Sequence, residues 1–167
     1  MIKINYLKHD KDLPDLHFKN GYGNSVAIDL YVAEDTVVYP MEFTLINLGV
    51  SIQIPKGYKA ELRMRSSTFK KWGLLQTNAI GLIDTTYCSP EDILKLPVYK
   101  PPIREDIEDI INNNEYGLKK IIIPKGTSIC QLEILPCMEE MEFNDMVLEE
   151  YKEYNKVTRG GFGSTDK

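Results

Sequence analysis

In the stretch GLIDTTY, Asp84 and Tyr87 follow an apolar run bounded by Gly81. A carboxylate at such a turn can orient or deprotonate a water, and a ring just beyond it can wall a sugar. Alone, an aspartate in a turn simply caps local amides. Upstream, RMRSSTFKKW puts Arg65, Ser66 and Ser67 where a strand gives way to a helical turn from Thr68 to Trp72. Backbone amides and hydroxyls collect around phosphates in that geometry, although the same residues also suit an ordinary helix N-cap with a surface arginine. The chain closes with RGGFGSTDK. Gly160, Gly161 and Gly163 let backbone N–H groups approach an anion, Ser164 and Thr165 add hydroxyls, Arg159 adds a charged fork, and Phe162 offers a face for a base. That set reads as a lid for a nucleotide; composition alone also allows a glycine-rich end with no ligand.

Residues this far apart need a scaffold to bring them together. Short stretches rich in branched and aromatic residues recur between turn signals: SVAIDLYV, DTVVYP, FTLINLGVSIQIP, YKAELRMR, GLLQTNAIGLID, KKIIIPKG and SICQLEILP. Pro-Lys-Gly turns punctuate them, so the pattern is an all-β sandwich or barrel of many short strands. PPIREDIEDIINNNEYG breaks it. Prolines at the start, acids in the first turn, Gly117 near the stop and Ile103, Ile107, Ile110 and Ile111 at helical spacing predict one short inserted helix within about 101–117. Such an insertion either covers a sheet edge or an oligomer rim, or docks a protein partner.

At 167 residues the chain suits a single core. A net charge of −5 argues against a broad grip on nucleic acid, which takes a basic surface. With no apolar run of membrane length and no apolar leader in MIKINYLKHDKDLPDLHF, the expectation is a cytoplasmic protein that meets neither membrane nor nucleic acid. Cys88, Cys130 and Cys137 form no CxxC pair and stand apart from His9 and His17, so inert or buried thiols are expected rather than zinc or a disulfide framework.

Five separated segments, in order, resemble the homotrimeric dUTPase family: SVAIDLYVAED around Asp29, RSSTFKKWG from Arg65, NAIGLIDTTY from Asn78, PKGTSICQL ending around Gln131, and the tail RGGFGST. The resemblance implies a jelly-roll-like β domain over 1–157 and a flexible C-terminal lid arm over 158–167. It also implies a homotrimer that hydrolyses dUTP to dUMP and pyrophosphate with Mg2+, keeping uracil out of DNA and supplying dUMP. By the same resemblance, Asp84 holds the sugar 3'-hydroxyl and activates the attacking water, and Tyr87 packs under deoxyribose. Asn78 and the backbone around Gly81 to Ile83 read uracil, and Phe162 stacks on it. Arg65, Ser66, Ser67 and Gln131 contact phosphates, Arg159, Gly163, Ser164 and Thr165 close on them, and Asp29 touches the magnesium through water.

The chain departs from the family pattern after Tyr87, where CSPEDILKLPVYKPP replaces the common Gly-Glu pair. Thr127 and Ser128 stand where an acid and an arginine are common, so an ion pair between those positions is not expected. Asp166 replaces a final glycine and brings negative charge near the lid. Two rivals follow. A dCTP deaminase of the same fold needs a glutamate in the strand after the third segment, whereas Glu91 and the acids of the insertion fall in predicted loop or helix. A nucleotide-gated regulatory protein would instead act through the inserted helix.

Overall fold

The computed structural model describes residues 2–18, 25–113 and 119–154. The chain forms two compact units, residues 1–137 and 138–167. Among the described residues the first holds eleven strands, joined into antiparallel sheets, and two helices. β2 (Ile28–Tyr31), β11 (Ser128–Pro136), β6 (Tyr58–Met64) and β8 (Gly81–Ile83) lie side by side in that order, and β4 (Phe43–Asn47), β9 (Lys95–Tyr99) and β7 (Leu75–Gln76) form a second sheet. Two ribbons complete the set, β1 (Asn5–Lys8) with β5 (Val50–Gln53) and β10 (Ile121–Ile123) with β3 (Thr36–Val38).

Alternation along the strands builds the core. On β6, Ala60 and Leu62 are buried, and they meet Leu30, Leu132, Ile83, Leu96 and Val98 from neighbouring strands. The opposite face of β6 is charged: Glu61 accepts from both Lys59 and Arg63. A sheet with one apolar and one polar face is the pattern expected of short antiparallel strands, and the all-β, jelly-roll-like expectation holds.

Helix content differs from the single insertion expected. α1 (Ser66–Trp72) realises the helical turn read after Arg65 and stops at Gly73, whose left-handed φ of 66° lets its N–H reach the Phe69 carbonyl at 2.8 Å. The inserted helix α2 runs Arg104–Asn113. A third, α3 (Leu148–Tyr154), belongs to the second unit, with Glu149 and Glu150 in its first turn and Lys152 in its last, a charge order that suits the helix dipole. Two strands were also unforeseen, β1 and β9.

The root of α2 is fixed by a charged contact. Asp106 Oδ2 accepts the Ile103 N–H at 2.9 Å and faces Lys100 Nζ at 3.3 Å, with both side chains buried. The first contact is half of a capping box, an acid at the third helical position reaching back to the residue before the helix. Ile103, Ile107 and Ile111 remain exposed. Among the thiols Cys130 is buried, Cys88 half-buried and Cys137 exposed, and all three are free. No described helix is long and apolar enough to cross a membrane.

Candidate active site

The turn that joins β7 to β8, strands of different sheets, supplies one wall of a pocket of about 470 Å³ lined by Asn78, Gly81, Ile83, Asp84 and Tyr87 together with residues of β9. Gly81 lies opposite Leu62 on β6, and a Cβ there would sit 3.1 Å from Leu62 Cβ. Glycine therefore allows β8 its close approach to Leu62 of β6. The turn itself is tight: Ala79 adopts a φ of 57°, and the Ile80 N–H reaches back to the Asn78 carbonyl.

Asp84 follows directly. Its Oδ1 accepts from the Thr86 N–H at 2.8 Å and the Thr86 hydroxyl at 2.6 Å, while its backbone carbonyl accepts the Tyr87 N–H. The hydroxyl of Thr86, then its backbone amide, hold the Asp84 carboxyl below its ordinary value of 3.8, so it is a carboxylate at neutral pH. The side chain is both the turn cap and the candidate catalyst, because one oxygen suffices for the cap. Tyr87 donates its hydroxyl to the Ile93 carbonyl at 3.0 Å, which fixes the ring at the pocket rim. Burial and then Asp92 push its phenol up, so it stays neutral.

Arg65, Asp29, Gln131 and Ser128 form a second cluster. Arg65 Nη1 donates to Asp29 Oδ2 and to the Ser128 hydroxyl, and Gln131 Nε2 donates to Asp29 Oδ1 at 3.0 Å. Strand register explains the meeting: Gln131 on β11 is flanked by Asp29 on β2 and Arg63 on β6. A bulge in the β2 pairing between Ser128 and Cys130 adjusts the approach of Ser128. Thr68 anchors α1 to the same strand, its hydroxyl donating to the Ile129 carbonyl at 2.6 Å where the Arg65 N–H also arrives at 3.2 Å. The first turn of α1, which carries Ser66 and Ser67, holds no acid, and its N-cap Arg65 makes no side-chain cap hydrogen bond.

Asn78, Gly81, Ile83, Asp84 and Tyr87 thus share one pocket, and Arg65, Gln131 and Asp29 share one cluster. Arg65, Ser66, Ser67, Gln131 and Asp29 do not line that pocket. The lid residues Arg159, Phe162, Gly163, Ser164 and Thr165, and Asp166, lie outside the described residues. Sequence reading missed Thr86, Thr68, Ser128 and Gln76 as supports. Thr86 carried a signal, since a threonine two residues after a turn aspartate is a ready partner; the others act on groups remote in the chain.

The family model described as dUTPase matches residues 17–95. An SPbeta prophage-derived deoxyuridine 5'-triphosphate nucleotidohydrolase of Bacillus subtilis is 36% identical over 83% of this chain and 82% of its own length. The chain belongs to the dUTPase family. The deoxyuridine 5'-triphosphate nucleotidohydrolase of Clostridium tetani is 32% identical over 99% of this chain and 97% of its own length. Among dUTPase structures, that of Staphylococcus bacteriophage 80alpha aligns with a TM-score of 0.68 at 23% identity, covering 87% of this chain and 97% of that one. A mutant dUTPase from a phage of S. aureus, described with a structural Mg(II) ion, aligns with a TM-score of 0.68 at 19% identity, covering 89% and 99%. These structures share the dUTPase fold with this chain.

Proposed function

We infer that the reaction of this dUTPase, hydrolysis of dUTP to dUMP and pyrophosphate, runs where the Asp84 pocket of one subunit meets the Arg65 cluster of a neighbour in a homotrimer. The carrying observation is the placement of Asp84: a carboxylate held ionised by Thr86 through one oxygen, in the wall of a pocket beside Tyr87. Uracil enters the turn between Asn78 and Ile83, and deoxyribose lies on Tyr87. Asp84 holds a water in line with the α-phosphorus and accepts its proton as the new P–O bond forms and the bond to the bridging oxygen breaks. A carboxylate held below its usual pKa is a weak base, so orientation is the larger part of its work.

Arg65, Ser66, Ser67 and Gln131 receive phosphate oxygens, and the tail residues Arg159, Phe162, Gly163, Ser164 and Thr165 close over base and phosphates, excluding water. The pocket lining includes none of Arg65, Ser66, Ser67, Gln131 and Asp29, which supports a site completed by a neighbouring subunit.

Magnesium fits this donor set at second hand. Both Asp29 oxygens already accept from Arg65 and Gln131, and among the described residues no group of three or more His, Cys, Asp or Glu side chains gathers. Mg2+ characteristically keeps several waters and takes its remaining ligands from substrate phosphates, so Asp29 would touch it through water. Bound there it neutralises triphosphate charge.

The deaminase reading loses its glutamate: β9, KLPVY, carries no acid, and Glu91 is exposed in a turn where Ser89 donates to it. The exposed stripe of Ile103, Ile107 and Ile111 keeps a second role for α2, docking a protein partner, in view. Deleting the helix then leaves turnover intact and abolishes capture. The primary test is pyrophosphate release from dUTP, dCTP, dTTP and UTP with magnesium, by wild type and Asp84→Asn. Release from dUTP alone, lowered by about 10² to 10⁴ in the variant, supports the assignment; equal turnover by the variant sinks it.

A further inference from the structure

β8 pairs with β6 as far as Leu62, opposite Gly81. Just beyond, the Gln76 carboxamide occupies the edge of β6 in the manner of a strand partner. Its Oε1 accepts the Met64 N–H at 3.0 Å and its Nε2 donates to the Leu62 carbonyl at 3.0 Å. A carboxamide can be turned over, exchanging its donor and acceptor ends. Here it cannot, because a backbone N–H only donates and a backbone carbonyl only accepts. The polarity of Gln76 is fixed by the main chain of β6.

That polarity is handed on. Gln76 Nε2 also donates to Asn78 Oδ1 at 2.9 Å. With its oxygen engaged, Asn78 has its Nδ2 left, which makes no hydrogen bond within the described chain. This amide nitrogen lies 3.7 Å from where a Gly81 Cβ would stand, at the wall of the pocket. The group offered to a ligand is therefore a donor. Uracil presents a carbonyl oxygen at position 4; cytosine presents an amine there, a donor facing a donor.

We propose that Gln76 is a specificity-determining positioning residue, which sets the Asn78 amide so that the pocket accepts a 4-keto pyrimidine and rejects a 4-amino one. This rests on the assignment of the Asp84 pocket to the base of dUTP. Gln76 touches no substrate and acts through Asn78. The leverage is that of a polar site confronted with the wrong partner, which loses a hydrogen bond and leaves two donors unpaired.

The test measures kcat/KM for dUTP and for dCTP with wild type, Gln76→Leu, Asn78→Ala and the double variant, with thermal denaturation of each. The expected result is a dUTP:dCTP ratio at least about tenfold lower in Gln76→Leu, because Asn78 is then free to turn over. In the Asn78→Ala background the same substitution should change the ratio by less than about twofold, since nothing is left to orient. An unchanged ratio in Gln76→Leu, or an equal fall in both backgrounds, overturns the proposal. Should Gln76→Leu fail to fold, Gln76→Met retains the length without the amide and is judged by the same ratios. A wild type that leaves dUTP intact defeats the hydrolase assignment itself and this inference with it; an active wild type with a ratio indifferent to Gln76 defeats the inference alone.

Discussion

Thr86 sets how firmly Asp84 keeps its charge. Because the folded carboxyl lies below its ordinary value, it stays ionised as pH falls through that value and is lost only at a lower pH. Thr86→Ala removes the larger of the two Thr86 bonds, so the Asp84 pKa should rise, and the acid limb of kcat/KM should move to higher pH with it. Carboxyl-carbon NMR titration of Asp84 in both proteins checks this; coincident titrations would show that Thr86 does not tune the acid. Asp84, Tyr87 and Arg65 were legible in the sequence because their chemistry is local to their side chains. Gln76 and Thr68 were not, because each answers main-chain groups of another strand, Met64 and Leu62 for one and Ile129 for the other. Side-chain type does not announce such partners.

At the scale of elements, the seating of α2 rests on Lys100 and Asp106. Removing one member leaves a buried charge without its counterpart, so Asp106→Ala should cost about 3–5 kcal/mol of stability in denaturant titrations. The paired change Lys100→Met with Asp106→Leu should recover most of that loss, since two apolar groups of similar size need no counter-charge. An equal cost for the single and paired changes would count against the ion pair as the fastening. The strands were largely legible from branched residues between turn signals. β9 escaped because Pro97 argues against a strand flanked on both sides, as β9 is by β4 and β7. The structure accommodates it by using the Pro97 carbonyl, which accepts the Thr77 N–H at 3.2 Å. β1 escaped for another reason: Asn5, Tyr6 and Leu7 are all exposed, so no buried face writes an alternating pattern into the sequence.

For the whole molecule, the Arg65 cluster contributes no residue to the lining of the Asp84 pocket, and on the proposed reading the two meet only across subunits. Asp84→Asn and Arg65→Ala chains, each defective alone, should complement when co-assembled from an equal mixture, with about a quarter of the sites receiving both native residues. Turnover of the mixture, compared with the two variants assayed separately, checks this. A mixture no better than its components would place both residues in one chain's site. Nothing in the composition carried that information, because assembly is written in the relation between motifs rather than in any one of them.

The fastening of α2 also bears on how this chain can diverge. Its polar bond to the sheet, from Lys100 to Asp106, lies at the root of the helix, while Ile107 and Ile111 further along are exposed. A segment held at its root can be exchanged like a cassette, with the residues beyond Asp106 replaced, lengthened or shed while Lys100 keeps its acid and the strands keep their register. What the chain displays at that corner can therefore change without disturbing the pocket, so that surface and chemistry are physically separable.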